Sequence, residues 1–190
     1  MIKKLARKLT AKTIAGGFDP DDEEKLLYGY EALLLNAISV SFILLVGVLL
    51  HIAKETLIFV VYFLKLRGNT GGLHLANSTQ CIFASVILCN ASAYVAHSLD
   101  EKAVAYVILP VLVSIIYIIL RAPINHLNLN LQEDEIVTCR RRARRDVVIE
   151  FVVLIIFFAL RAPIALLLAG AFAIITTAAL MWVATKIKEV

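Results

Sequence analysis

Hydrophobic residues in this chain are gathered into six segments that polar stretches separate. The segments cover residues 33–52, 57–66, 73–96, 104–120, 147–160 and 162–184. A helix that crosses a bilayer needs about 20 predominantly apolar residues. Two segments, 57–66 and 147–160, are too short to be assigned as spans by themselves. The pattern predicts an all-α, polytopic transmembrane bundle of about six spans, in which segment 57–66 is short or re-entrant.

A different pattern fills residues 1–15, where basic and apolar positions alternate with helical spacing. Basic side chains occupy one side, and the apolar residues Ile2, Leu5, Ala6 and Leu9 fall on the other. This pattern is typical of an amphipathic helix that lies in the membrane interface. A frayed basic tail is the alternative, because so short a helix is marginal without lipid. The acidic run at 19–24 then predicts the start of the next helix.

The composition supports a membrane protein. Of the 190 residues, 61% are hydrophobic, and the mean hydropathy is +0.85, well above what a soluble domain of this size needs for its core. Six spans of about 20 residues occupy most of the length. We therefore expect a single membrane-embedded domain over residues 1–190, with no separate soluble domain.

The basic residues predict how the chain is oriented. If there are six spans and both termini are cytoplasmic, only Lys54, Lys102 and Arg161 of the 19 Lys and Arg residues fall outside. This bias satisfies the positive-inside rule, and removing one span would reverse every later loop. The chain is thus expected to carry a basic cytoplasmic loop at 121–146. The net charge of +4 reflects this topology and does not indicate a nucleic-acid partner.

The polar stretch RGNTGGLHLANSTQC at 67–81 carries the candidate chemistry. It places three glycines, a histidine and a cysteine at the predicted cytoplasmic edge. A thiol attacks a peptide carbonyl as the thiolate, so it needs a base or a stabilising cation. His74 is the nearby side chain that titrates near neutral pH. The stretch therefore suggests a nucleophile, Cys81, with His74 as its base.

The residues alone leave two questions open at this pair. A cysteine at the end of a membrane helix is usually a small packing residue, and His74 is also consistent with an interfacial polar group. In one continuous helix the two would share a face but lie about 10 Å apart, too far for direct proton transfer. Either the glycine turn interrupts the helix and folds His74 back, which we favour, or the pair forms across a dimer.

The stretch at 67–81 resembles the signature of the accessory gene regulator B (AgrB) family of membrane endopeptidases in Gram-positive quorum sensing. The matching positions are Arg67, Gly71, Gly72, His74 and Cys81. A second block, RAPINHLNLNLQEDE followed by CRRRARR, is similar to a loop of the family, with the expected order Ala122, Pro123, Asn128, Leu131 and Glu133. Leu129 and Asn130 depart from the basic residue and proline that family members often carry. The acidic segment leading to Tyr28 is also similar.

The resemblance implies a cysteine-type endopeptidase of the bacterial cell membrane, with its active site on the cytoplasmic side and no metal or cofactor. Its partner would be a small amphipathic propeptide, AgrD-like, with an acidic C-terminal tail. Cys81 would form a thioester with the propeptide, and His74 would transfer the protons. An internal Cys or Ser of the propeptide would then close a thiolactone or lactone ring. Supporting roles are expected for Arg67, Gly71, Gly72, Asn77 and Gln80. A homodimer is left open.

The other cysteines and histidines are assigned elsewhere. Cys89 is expected to pack inside a span, and Cys139 to be a loop thiol beside arginines. His51 and His97 fall at the predicted outer surface, and His126 is the rival base on the inner side.

Two other functions compete with proteolysis: a small membrane peptide exporter and a non-catalytic membrane scaffold. The apolar segments hold no ionisable group near their middles. This argues against an ion-coupled transporter, but it does not exclude peptide export.

Overall fold

The structure is a computed structural model that describes residues 2–19, 22–71, 78–124 and 133–188. These residues form seven helices and no strand: α1 (Ile2–Ala15), α2 (Glu23–Leu49), α3 (Ala53–Thr70), α4 (Ser78–Ser98), α5 (Lys102–Arg121), α6 (Glu133–Ala159) and α7 (Ile164–Lys188). The predicted all-α fold is confirmed. Several positions named above lie outside the described residues: Gly72, His74, Asn77, His126, Asn128, Leu129, Asn130 and Leu131.

Four helices in the described part of the chain, α2, α4, α5 and α7, are long and apolar enough to cross a membrane. The helices α3 and α6 contain the two short apolar segments. Charged residues interrupt or flank those segments, including Lys65 in α3 and Glu150 in α6. The fold is therefore a polytopic helical bundle with four clear spans, and the count of six spans stays a prediction.

The two ends of the bundle are built differently. At one end, which we call the turn end, residues 50–52, 99–101 and 160–163 join α2 to α3, α4 to α5 and α6 to α7. His51 and Arg161 adopt left-handed backbone conformations there, with φ of 59° and 52°. The opposite end, the loop end, holds the longer connections, which include 71–77 and 122–132.

The last helix, α7, occupies the centre of the bundle and packs against α3, α4, α5 and α6. Its small residues permit this. A Cβ added at Gly170 would lie 2.9 Å from the Leu154 side chain and 3.1 Å from the Tyr62 ring. Close packing of small residues holds membrane helices together, because lipid is as apolar as the protein core.

The first helix, α1, packs along α2. Ala6 and Thr10 are buried in this contact, and the Thr13 and Tyr30 hydroxyls hydrogen-bond at 2.7 Å. The basic side chains of α1 are exposed. The amphipathic helix predicted for residues 1–15 is thus present, and its position in the membrane interface stays a prediction.

Two helices extend well beyond their apolar segments. The helix α6 begins at Glu133, so the second half of the expected basic loop at 121–146 is helical. Residues 133–159 contain no glycine or proline, and their many Glu, Arg and Ala residues favour a helix. The helix α2 begins ten residues before its apolar segment, after an N-cap at Asp22.

Candidate active site

The candidate nucleophile Cys81 lies in the first turn of α4, on the loop-end side of the bundle. It is a free, half-buried cysteine. The preceding helix, α3, ends at Thr70, and Gly71 follows with φ of 68°. The chain therefore leaves the helical conformation within the predicted glycine turn.

Gly71 joins the two sequence blocks that carry the family resemblance. The Ile124 N–H donates to the Thr70 carbonyl at 2.9 Å, and Gly71 forms a parallel bridge with Ile124. A Cβ on Gly71 would lie 2.5 Å from the Ile124 carbonyl oxygen. Glycine is required here both for the positive φ and for this close approach. The segment after α5 is thereby held against the end of α3.

Arg67 lies one turn before this bridge, just beyond the apolar segment 57–66. Its Nη1 donates to the Gly71 carbonyl at 2.9 Å, which braces the turn. Burial lowers the pKa of the Arg67 guanidinium, and a negative charge on Cys81 would act in the opposite direction. The structure thus places a partly buried cation within electrostatic reach of the candidate nucleophile.

Cys81 opens into a cavity of about 460 Å³ between α2, α3 and α4. Arg67, Gly71 and Cys81 line it near the loop end, and Val60, Ile43 and Cys89 line it deeper in the bundle. Cys89 lies eight residues beyond Cys81, so the cavity follows α4 for about 12 Å. Most of the lining residues are apolar. The volume is within the roughly 300–1,000 Å³ typical of ligand-binding sites.

A buried polar cluster lies next to the deep part of the cavity. The Asn90 side chain donates to the Ile43 carbonyl at 3.2 Å and to the Val86 carbonyl at 2.9 Å. Thr56 donates to the Asn90 oxygen at 3.4 Å. These bonds connect α2, α3 and α4 on the side of the cavity away from Cys81.

The helix α6 brings arginines to the loop end. Arg144 Nε donates to the Ile119 carbonyl at 3.0 Å, and Arg140 Nε donates to the Ala122 carbonyl at 3.4 Å. Both bonds hold the end of α5. Arg141 and Arg142 are exposed on the same helix. This end of the molecule therefore carries a dense positive charge close to the cavity.

The structure brings together three of the residues predicted from the sequence, because Arg67, Gly71 and Cys81 line one cavity. Gln80 is exposed and does not contribute to that lining. Asn69, in the same polar stretch, donates to the buried Asp146 at 2.8 Å. The distance between His74 and Cys81 stays a prediction, because His74 lies outside the described residues.

The other described cysteines and histidines lie in different parts of the bundle. Cys89 is 1% exposed, in agreement with the packing role, although it also lines the cavity. Cys139 is half-buried on α6 rather than in a loop. His97 lies at the turn end, where its Nδ1 contacts Glu55 at 3.0 Å.

Sequence reasoning missed the contribution of α2. Tyr28, Ala32, Asn36, Ser39 and Ile43 all line the cavity from that helix. Their spacing of three or four residues places them on one face. Asn36 and Ser39 are two of the few polar residues in the segment 33–52, and this was the signal available in the sequence.

The fold and the site define a multi-pass membrane protein with a cysteine in the lining of a largely apolar cavity. The chain belongs to the accessory gene regulator B (AgrB) family, whose model matches residues 2–186. Two proteins of Clostridium perfringens that are named as AgrB-like are 32% identical over 89 residues and 33% identical over 90 residues. Each alignment covers 46% of this chain and 42% of the relative.

A protein of Clostridium acetobutylicum, also named as AgrB-like, is 34% identical over 70 residues, which are 37% of this chain and 34% of that protein. These alignments thus span less than half of the curated relatives. No solved structure matches the chain.

Proposed function

We propose that this protein is a membrane cysteine endopeptidase that matures a small quorum-sensing propeptide. The observation that carries the proposal is the position of Cys81, which lines a cavity together with the partly buried cation Arg67. Membership of the AgrB family supports the choice of a peptide substrate. The substrate would be an AgrD-like, amphipathic propeptide with an acidic C-terminal tail.

In the first step, the Cys81 sulfur attacks the carbonyl carbon of the peptide bond that precedes the tail. The base, His74, accepts the thiol proton and then delivers it to the departing amine as the carbon–nitrogen bond breaks. The tail leaves with a new amino terminus, and the rest of the propeptide stays attached to Cys81 as a thioester. Arg67 favours this step because its positive charge attracts the thiolate.

In the second step, a Cys or Ser side chain of the same propeptide attacks the thioester. His74 accepts the proton of that side chain and returns it to the departing Cys81 sulfur, and a thiolactone or lactone ring is released. Water competes for the thioester, so ring closure requires that water be kept away. The largely apolar lining of the cavity favours this exclusion.

The loop end is proposed to face the cytoplasm, since it carries most of the basic residues. Its arginines would attract the acidic tail of the propeptide. Neither a metal nor a cofactor enters the scheme. A second copy of the chain is not needed for it, although a homodimer is compatible with the fold.

The test compares two cysteine variants in membranes that contain a co-expressed AgrD-like propeptide. We expect Cys81→Ala to abolish release of the tail, because no other side chain supplies the acyl-accepting sulfur. Cys139→Ala is the matched control, since this half-buried thiol lies on α6 and does not line the cavity. Gel analysis and mass spectrometry follow the tail and the cyclic product.

Undiminished cleavage by the Cys81→Ala protein would end the protease proposal. An exporter or a scaffold would behave in that way. If the Cys81→Ala protein releases the tail normally but the cyclic product is lost from the medium, export would be favoured. His74→Ala is expected to resemble Cys81→Ala, and full activity of that variant would remove His74 from its assigned role.

A further inference from the structure

The cavity extends well beyond the place where Cys81 would act. Its deeper part is lined by apolar side chains from three helices, including Val60 and Phe63 of α3 and Leu88 of α4. A nucleophile needs only the reacting carbonyl at its sulfur. The remaining space is therefore large enough to hold part of a bound molecule.

The same cavity is lined by polar side chains that have no hydrogen-bond partner among the residues that the structure describes. Serines inside a helix often donate to the helix backbone. Ser41 and Ser98, which do not line the cavity, donate in this way to the carbonyls four residues earlier. Within the part of the chain that the structure describes, the side chains of Asn36, Ser39 and Ser85 form no hydrogen bond, and all three line the cavity. In an apolar pocket, a few polar groups of this kind fix the orientation of a ligand.

We propose that this cavity binds the apolar residues of the propeptide that immediately precede the cleaved bond. Asn36, Ser39 and Ser85 would bond to the peptide groups of that segment, and the surrounding apolar residues would select its side chains. The inference rests on the proposed function, because it takes Cys81 to be the acyl-accepting residue. It extends that function by identifying the segment of the propeptide that the protein recognises.

Charge decides which side of the cleaved bond enters the cavity. Arg67 lines the cavity only near the loop end. Deeper among the apolar side chains, an acidic tail would lose its hydration, and this costs much free energy where no partner charge is present. The exposed Arg141 and Arg142 offer such charges outside the cavity. The segment before the bond stays attached to Cys81 after cleavage, so it is the part that the cavity would hold during ring closure.

The test uses peptidyl chloromethyl ketones, in which a cysteine sulfur displaces chloride and forms a thioether. The intact protein in lipid nanodiscs is treated with the N-acetyl-leucyl-leucine reagent or the N-acetyl-aspartyl-aspartate reagent. Mass spectrometry then gives the ratio of labelling at Cys81 to labelling at Cys139. We expect this ratio to be at least about tenfold higher for the leucyl reagent, since burial of one Leu side chain is sufficient for such a factor.

Matched substitutions locate the effect. Ala84 lines the cavity, and Ala91 is exposed on the same helix outside it. We expect Ala84→Leu to remove most of the leucyl preference and Ala91→Leu to retain it. In the same way, Ser39→Val should reduce the preference, whereas Ser41→Val should not. Labelling of Cys81 by iodoacetamide, which is too small to need the cavity, checks that each variant is folded.

Equal labelling by the two peptide reagents would overturn the inference, as would a leucyl preference that survives in Ala84→Leu. A preference seen only in lipid-free detergent would mean that a lipid chain occupies the cavity, and would also overturn it. These outcomes are independent of the proposed function. If the labelling test fails, cleavage that depends on Cys81 would still be observed. Conversely, cleavage by Cys81→Ala would end the protease proposal and leave the labelling pattern of the unsubstituted protein unchanged.

Discussion

The turn end and the loop end of this bundle differ in the length of their connections and in the contacts that hold the helices together. At the turn end, three short connections bring consecutive helices together, and Glu55 pairs with His97 across α3 and α4. At the loop end, the connections are longer and the contacts involve backbone carbonyls, which Arg67, Arg140 and Arg144 bind. The cavity and the candidate nucleophile lie toward this second end.

The difference indicates that one end fixes the arrangement of the helices and the other carries the chemistry. Functional residues are commonly placed on loops that a rigid scaffold positions. Here the scaffold includes the Asn90 cluster beside the deep part of the cavity. Substitutions at the loop end are therefore expected to change activity, and substitutions at the turn end to change stability.

The largest effect is expected at Gly71. Replacing it by Ala forces a side chain into a positive-φ conformation that is essentially confined to glycine, at a cost of about 1–3 kcal/mol, and places a Cβ 2.5 Å from the Ile124 oxygen. We expect Gly71→Ala to lower cleavage of the propeptide by more than about tenfold. Gly29→Ala is the control, because a Cβ there meets nothing within 4 Å. Equal activity of the two variants would show that the bridge to Ile124 is dispensable.

A smaller effect is expected from the charge of α6. Reversing the exposed Arg141 and Arg142 to Glu should slow cleavage several-fold in low salt, since a cationic surface speeds the approach of an acidic tail. The difference should shrink as ionic strength rises. The control reverses Lys54 and Lys102 at the turn end, where no change is expected. A loss of rate that is the same at every salt concentration would argue against attraction of the tail.

The smallest effect is expected at His97. Its pair with Glu55 is half-exposed on the histidine side, so His97→Ala should reduce stability by only about 0.5–1 kcal/mol. This corresponds to a fall of a few degrees in the unfolding temperature in detergent. Cleavage by the folded protein should be unchanged. If His97→Ala instead impaired cleavage at full stability, the division between the two ends would have to be abandoned.

The sequence predicted the helices more fully than it predicted their ends. Apolar segments of about 20 residues placed the cores of α2, α4, α5 and α7, because the bilayer sets both length and polarity. The same signal was weak for α3 and α6, since Lys65 and Glu150 lie in or near their short apolar runs. The basic run in α6 suggested a loop, but it continues the helix because helix formation tolerates arginine well.

The candidate site was predictable only in part. Cys81, Arg67 and Gly71 lie close together along the chain and belong to one recognisable motif. The α2 side of the cavity is far from them in sequence, and its position depends on how three helices pack. Asn69 also shows the limit of the sequence, because its partner Asp146 is 77 residues away. No local pattern reveals such a contact.

The short connections at the turn end also bear on how the chain is inserted into the membrane during synthesis. Each of the two helices that are marginal as spans adjoins a strongly apolar one: α3 follows α2 after residues 50–52, and α6 precedes α7 by residues 160–163. Such a pair is short enough to enter the bilayer as one hairpin. The apolar arm then offsets the cost of transferring the charged arm, so we expect α3 and α6 to depend on their neighbours for insertion.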